Sequence, residues 1–497
     1  MRQRKLILWA ILTALALVAR AQDSVLVDSL YYRVELQSTV ASGNHSPLWL
    51  NANKYGLSSL ETANGYVRTA VTKPLGYGDG RKWAWGYGVD VALAAGFTST
   101  MVVQQAYVEG RWLHGVLTVG AKEQPMELKN QALSTGSQTL GINARPVPQV
   151  RLSLPRYWTI PGTRGWLALK GHLAYGKTTD DGWQRDFTHE QSRYTEGTLY
   201  HSKAGYMRIG TERINLEGGL EMATQFGGKA WMQQDGQMVK IENDNGWRAF
   251  QNALFLSGAD ATDGSFRNTE GNHVGSWVAR LNINQPSWSL GLYADHFFED
   301  HSMLFHYCKS GDGYFIYDFK DWMLGMELQL KRTSWLQTVV LEYLYTKYQG
   351  GPVYHDHTSA VNVQISGRDN YYNHHLYTGW QHWGQVMGNP LYLSPLYNED
   401  RMIDVRHNRF IGWHLAFSGT PLKRLYYRAM VTWQKSYGTY YYLPAHPEEN
   451  LSLLAEADYR FSGGWSVKAG LGVDRGKLRG DNIGLQLSVV KTGIWRK

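Results

Sequence analysis

From residue 214 to the C-terminus the chain repeats one pattern. About ten residues alternate apolar with polar, and the links between such stretches are short and long in turn. In 464–474, Trp465, Val467, Ala469, Leu471 and Val473 alternate with Ser466, Lys468, Gly470, Gly472 and Asp474. In 322–332, Trp322, Leu324, Met326, Leu328 and Leu330 oppose Glu327, Gln329 and Lys331. Period 2 is the signature of a strand with one apolar face. Soluble sandwiches alternate too, but their strands usually run to about 5–6 residues. Strands of 9–11 residues match the thickness of a bilayer. Short links fall at 462–463, 419–423, 332–334, 284–286 and 210–213; long ones at 475–481, 435–450, 349–408, 297–312 and 227–272. A sandwich gives no reason for that order. A transmembrane antiparallel β-barrel does, with tight periplasmic turns and long outer loops.

Upstream, 32–38, 65–73, 87–94, 102–111, 113–121, 150–154, 167–175 and 203–209 alternate in the same way. With the ten strands from 214 onward, where 313–332 counts as one long strand, the expected fold is all-β: a barrel of about 18 strands with both ends periplasmic. Trp465, Trp335, Trp322, Trp433 and Tyr459 stand near strand ends, as an interfacial aromatic girdle requires. No stretch reaches 18 consecutive apolar residues, which excludes helical spans. A closed sheet cannot be divided, so residues 22–497 read as a single barrel domain. A lumen of this size either conducts or is filled by loops.

Residues 1–21 read as a secretory signal: Arg2, Arg4 and Lys5, then LILWAILTALALVA at 6–19, then the small-x-small pattern Ala19-Arg20-Ala21. An exported barrel of this kind belongs in the outer membrane. Cys308 is the only cysteine, so no internal disulfide forms. The formal charge of +8 falls to about +4 once the four cations of the signal are set aside, and no basic run supports nucleic-acid binding. His355, His357, His374, His375 and His382 lack the spacing of a tetrahedral zinc set. Asp312, Asp318, Asp321 and Glu327 read as lumen charges rather than a catalytic carboxyl pair. No nucleophile elbow, P-loop or dinucleotide fingerprint is present. Neither a cofactor nor a metal is expected, nor is enzymatic activity.

The segment from Tyr348 to Arg409 breaks the strand pattern and holds GRDNYYNHHLYTGWQHWGQVMGNPL at 367–391. A loop this long is functional or disordered, and its aromatics argue against disorder. Flat rings cover the C–H faces of sugars, while amides and charges take the hydroxyls. Tyr371, Tyr372, Trp380 and Trp383 are therefore candidate stacking platforms. Arg368 is the candidate contact for an acidic sugar, with Asp369 and Asn370 beside it. The alternative is that this loop folds inward and packs as a plug.

SPLWLNANKYG at 46–56, NGYVR at 64–68, PRYWTIPGTRGWLALKGHLAYG at 155–176, YMRIG at 206–210, LEYLYTKYQGGP at 341–352, the 367–391 stretch and TWQKSYGTY at 432–440 together resemble the capsule assembly Wzi family. The resemblance implies an 18-stranded, non-catalytic outer-membrane lectin that binds and anchors capsular polysaccharide or exopolysaccharide. Its partners would be that surface polysaccharide and outer-membrane lipid, with a monomer expected. An N-terminal helical bundle of better-studied members has no counterpart in the pattern of 22–64, and Trp495 stands two residues short of the usual terminal aromatic. A porin or polysaccharide export pore is the alternative function.

Overall fold

A computed structural model describes residues 29–77, 82–258, 270–299, 309–310, 313–314, 320–355 and 364–495. The signal segment 1–21 lies outside the described residues. The wall consists of β1 (Leu30–Ser42), β2 (Ala63–Lys73), β3 (Trp83–Ala95), β4 (Met101–Trp112), β5 (Gly115–Ala121), β6 (Gln149–Thr159), β7 (Leu167–Lys177), β8 (Leu199–Gly210) and β9 (Ile214–Phe226). It continues with β10 (Asn272–Asn284), β11 (Trp288–Glu299), β12 (Trp322–Leu330), β13 (Thr338–Tyr345), β14 (Phe410–Leu422), β15 (Leu425–Ser436), β16 (Glu448–Arg460), β17 (Trp465–Gly476) and β18 (Asn482–Trp495). These form one 18-stranded sheet in which each strand pairs antiparallel with its chain neighbours. β18 pairs with β1, from Leu30 opposite Trp495 to Ser42 opposite Ile483, so the sheet is closed and has no free edge.

One sequence expectation needs correction. The stretch 313–332 is not a single strand. The wall strand begins at Trp322, and Gly313–Tyr314 pairs instead with Lys309–Ser310 in a separate ladder. The break at Lys320-Asp321 marks where pairing with β11 ends; Asp321 turns its carboxylate to the backbone N–H groups of Tyr348 and Gln349 at 3.0 and 2.6 Å.

Alternation along β12 shows how the wall is built. Met323 and Glu327 are buried on the inner face, while Leu324 is 48% exposed on the outer one. Leu36, Leu93, Val108, Leu152, Leu216, Leu415, Leu471 and Leu485 are likewise exposed on outer faces. A belt this wide is unfavourable against water and favourable against lipid chains. At the short-link end the belt is edged by Trp83, Trp112, Trp335, Trp465 and Trp495, all exposed. Trp83 and Trp112 stack with centroids 5.8 Å apart, and Trp495 stacks on Tyr32 at 4.8 Å. The protein is a barrel of the bacterial outer membrane.

All links at one end are short: 74–82, 113–114, 160–166, 211–213, 285–287, 331–337, 423–424 and 461–464. The long ones share the other end. Segments of three of these, 43–62, 122–148 and 369–408, fold into the lumen and pack together as a plug. The first carries one helical turn, α1 (Leu48–Asn51), buried throughout. The main core of the molecule joins plug residues Trp49, Leu133, Tyr371, Trp380 and Tyr392 to inward wall residues Tyr293, Phe297, Leu344 and Phe410. Polar wall groups hold the plug by hydrogen bonds. Glu342 accepts from Ser134 Oγ at 2.5 Å and from the Thr135 N–H at 2.7 Å, and Trp49 Nε1 donates to Thr432 at 3.0 Å.

Candidate functional site

The 367–391 segment divides between the plug interior and its outer surface. Tyr371 donates its hydroxyl to Asp321 at 3.0 Å and sets its ring against Phe297 at 4.8 Å. Tyr372 stacks on Tyr392 at 4.1 Å. Trp380 donates Nε1 to the Thr139 carbonyl at 3.0 Å and stacks on Tyr200 of β8 at 5.9 Å. None of these three rings exceeds 1% exposure, so they offer no face to a sugar. The expectation of stacking platforms at these positions is corrected: they are packing residues, because an aromatic with a polar tip suits a plug interior as well as a glycan surface. Asp369 is buried and accepts from the Asn370 N–H at 3.0 Å, while Asn370 accepts from Asn408 at 2.7 Å. Both shape the turn. The Arg368 backbone pairs opposite Gly350, and its side chain lies outside the described residues.

Trp383 is different. Its backbone is left-handed, with φ of 56°, and Gly384 follows with φ of 77°. This turn lifts the indole out of the plug. Asp180, at the start of α2 (Asp181–Thr188), fixes the turn by accepting from the Trp383 N–H at 3.1 Å and from Gln381 at 3.3 Å. Helix α2 belongs to the outer loop 178–198. Its Asp181 and Arg185 lie at the ends that suit their charges. The i, i+4 pair Trp183 and Phe187 stacks on one face of it, with centroids 4.9 Å apart.

Trp383, Trp183 and Phe187 line a pocket of about 430 Å³ together with His45, Glu61, Phe97, Thr98, Arg145, Gln385 and Leu396. Five segments of the outer end meet here: the plug segments that hold His45, Arg145 and Trp383, and the loops 96–100 and 178–198. Arg145 stands 4.3 Å over the Trp383 ring and donates Nη2 to Thr98 at 2.8 Å. Among the described residues its buried Nε has no hydrogen-bond partner, and neither has Gln385 Oε1. Burial pulls the Arg145 guanidinium down to about 10, with Asp180 opposing, so it is charged at neutral pH. His382 lies behind this wall. The Thr179 N–H donates to its Nε2 at 3.1 Å, so Nδ1 carries the proton given to the Arg145 carbonyl at 2.9 Å. Burial lowers the His382 pKa and keeps the ring neutral.

The sequence reading reached Trp383 but missed Arg145, Trp183 and Phe187. The aromatic pair was visible as W-x-x-x-F inside a long outer loop. Arg145 had no local signal, because its neighbours come from distant loops. Among the described residues no group of three His, Cys, Asp or Glu side chains is placed to hold a metal ion.

No family model matches this sequence, and no curated protein matches it. Solved structures do. Wzi of Escherichia coli, an outer-membrane protein involved in group 1 capsule assembly and a carbohydrate-binding β-barrel, aligns over 92% of this chain and 83% of its own, with 12% identity and a TM-score of 0.55. OprD of Pseudomonas aeruginosa aligns over 96% and 97%, with 11% identity and a TM-score of 0.46. OmpT of Vibrio cholerae, with its loop L8 deleted, aligns over 93% and 99%, with 8% identity and a TM-score of 0.38. The chain is thus an 18-stranded outer-membrane β-barrel similar in fold to Wzi.

Proposed function

We propose that this protein is a non-catalytic lectin of the outer membrane that binds a capsular polysaccharide or exopolysaccharide and anchors it at the cell surface. The observation that carries this reading is the outer pocket. Four aromatic rings, Phe97, Trp183, Phe187 and Trp383, line it with an arginine and a glutamine that each keep one buried polar atom without a partner among the described residues, at the long-loop end of a plugged barrel. Apolar walls with a few convergent polar groups are the usual build of a ligand site. Rings cover sugar faces, and the orphan donor and acceptor await hydroxyl or carboxylate partners. The fold shared with a carbohydrate-binding barrel supports the same reading. The three inserted loops speak against a wide export pore. The test is binding of purified, detergent-solubilised protein to surface polysaccharide from the producing strain, with polysaccharide retention on cells as the second readout. Saturable binding that Trp383→Ala weakens at least tenfold is expected. Undetectable binding together with unchanged retention in a deletion strain overturns the reading.

A further inference from the structure

Arg145 stands in the walls of two cavities. On one side it borders the outer pocket. On the other it borders a cleft of about 100 Å³ between the plug and the inner face of β6 to β8, lined also by Lys122, Glu127, Arg151, His172 and Tyr206. The cleft is cationic. Its one lining acid, Glu127, is held by Lys170, and Lys122 is held by Glu109 of β4, so the unpaired positive charge comes from Arg145 and from the Arg151 guanidinium, which makes no ion pair among the described residues. Towards the periplasmic end the inner wall is wet: Lys170 and Glu127 are 18% and 24% exposed although both lie inside the barrel. Outer pocket, cleft and inner lumen thus follow one another along a single seam between plug and wall.

We propose that this seam is a path for small inorganic anions, and that Arg145 stacked on Trp383 is the constriction that closes it. Backbone seals one side of the constriction: Gly56 lies so close that an added Cβ would stand 2.4 Å from the Arg145 nitrogen. The other side is only a side chain, held by its ring contact and the bond to Thr98. A guanidinium that rotates off the indole joins the two cavities. Arginine and lysine along the walls favour anions over cations.

The test is conductance of the purified full-length protein in planar bilayers bathed in KCl. Wild type should give small, brief currents. Trp383→Ala and Arg145→Ala should raise mean conductance at least threefold, and the reversal potential in a KCl gradient should show chloride preference. Thr98→Val removes one bond and little packing, so it should shift conductance the same way even if the larger changes fail to fold. Arg151→Glu combined with Trp383→Ala should weaken or invert the anion preference. Variants that migrate as folded, heat-modifiable barrels but conduct as wild type overturn the proposal. So does a cation preference in the opened Trp383→Ala protein, or a Thr98→Val protein that conducts no more than wild type.

Discussion

Lys129 of the plug and Asp295 of β11 form an ion pair of 2.8 Å whose side chains are 1% and 0% exposed. Asp295 also accepts from the Gln138 N–H at 3.1 Å, so this wall carboxylate holds loop 122–148 at two points. Removing one partner strands a charge in a dry site, which costs on the order of 3–5 kcal/mol. Lys129→Ala should lower the temperature at which the folded band converts on SDS gels and should expose 122–148 to protease. The double change Lys129→Met with Asp295→Leu removes both charges and should recover much of the loss.

On β12, Met326 belongs to the outer face and Gln329 to the inner one, where Gln329 donates to Glu327 at 2.8 Å. An arginine facing mid-bilayer costs roughly 2–4 kcal/mol. Met326→Arg should therefore depress assembly and lower the unfolding midpoint, and Gln329→Arg should be nearly silent. Equal tolerance at both positions argues against a lipid-facing wall there.

Loop polarity can be checked on intact cells. The turn at Asp235 and Gly236 joins two short strands, Lys229–Gln234 and Gln237–Glu242, within an outer loop. An epitope inserted there should be labelled without permeabilisation. One inserted between Lys423 and Arg424, in the short link joining β14 to β15, should not.

The wall was legible in the sequence because each strand carries its own instruction. Leu324 out and Glu327 in can be read without knowing any partner. Link lengths then fixed the orientation. The site was not legible for the opposite reason. Tyr371, Tyr372 and Trp380 look the same on paper as Trp383, and only the fold decides which ring is covered. Tyr371 and Trp380 meet Phe297 and Tyr200, far away in sequence, and Tyr372 meets both Phe297 and, in its own segment, Tyr392. Trp383 is turned out by two positive-φ residues and by Asp180 of another loop. A pocket made by five separate segments leaves no contiguous motif.

The plug should loosen in acid. His407 is buried, its Nδ1 lies 3.0 Å from Ser436 Oγ, and Glu448 stands 3.9 Å from Nε2. Burial pulls its pKa down to about 4, with Arg479 and Arg406 adding to the effect. A base with a depressed folded pKa stays neutral where the unfolded chain takes up a proton. Its contribution is full above pH 6.5 and is lost as pH falls towards 4, about 2 kcal/mol between pH 6.5 and 5. His374 and His382 are shifted the same way by burial. Asp321 opposes them: burial raises it to about 6, so its contribution is lost as pH rises through that value. Comparing wild type with His407→Gln isolates one group. The drop in unfolding midpoint between pH 7 and pH 5 should be smaller in the variant, and an equal drop refutes the assignment.

The sharpest functional test uses two tryptophans from the same segment. Trp380 is buried against Tyr200, and Trp383 borders the pocket opposite Trp183. If the pocket is the sugar site, Trp383→Ala and Trp183→Ala should each weaken polysaccharide binding by at least tenfold and release polysaccharide into the medium, while the barrel stays heat-modifiable. Trp380→Ala should act in the other order, with loss of a large buried ring costing about 3–5 kcal/mol of stability and binding falling only as the plug is lost. Gly384→Ala disturbs the site without replacing a candidate contact. A Cβ there would lie 2.5 Å from the Trp183 ring and 2.7 Å from Leu396, on a backbone that already needs positive φ. It should displace Trp183 and weaken binding with a smaller stability loss than Trp380→Ala. If Trp380→Ala and Trp383→Ala instead lower stability and binding in the same proportion, the pocket is a structural seam of the plug, and the ligand must be sought on the outer loops.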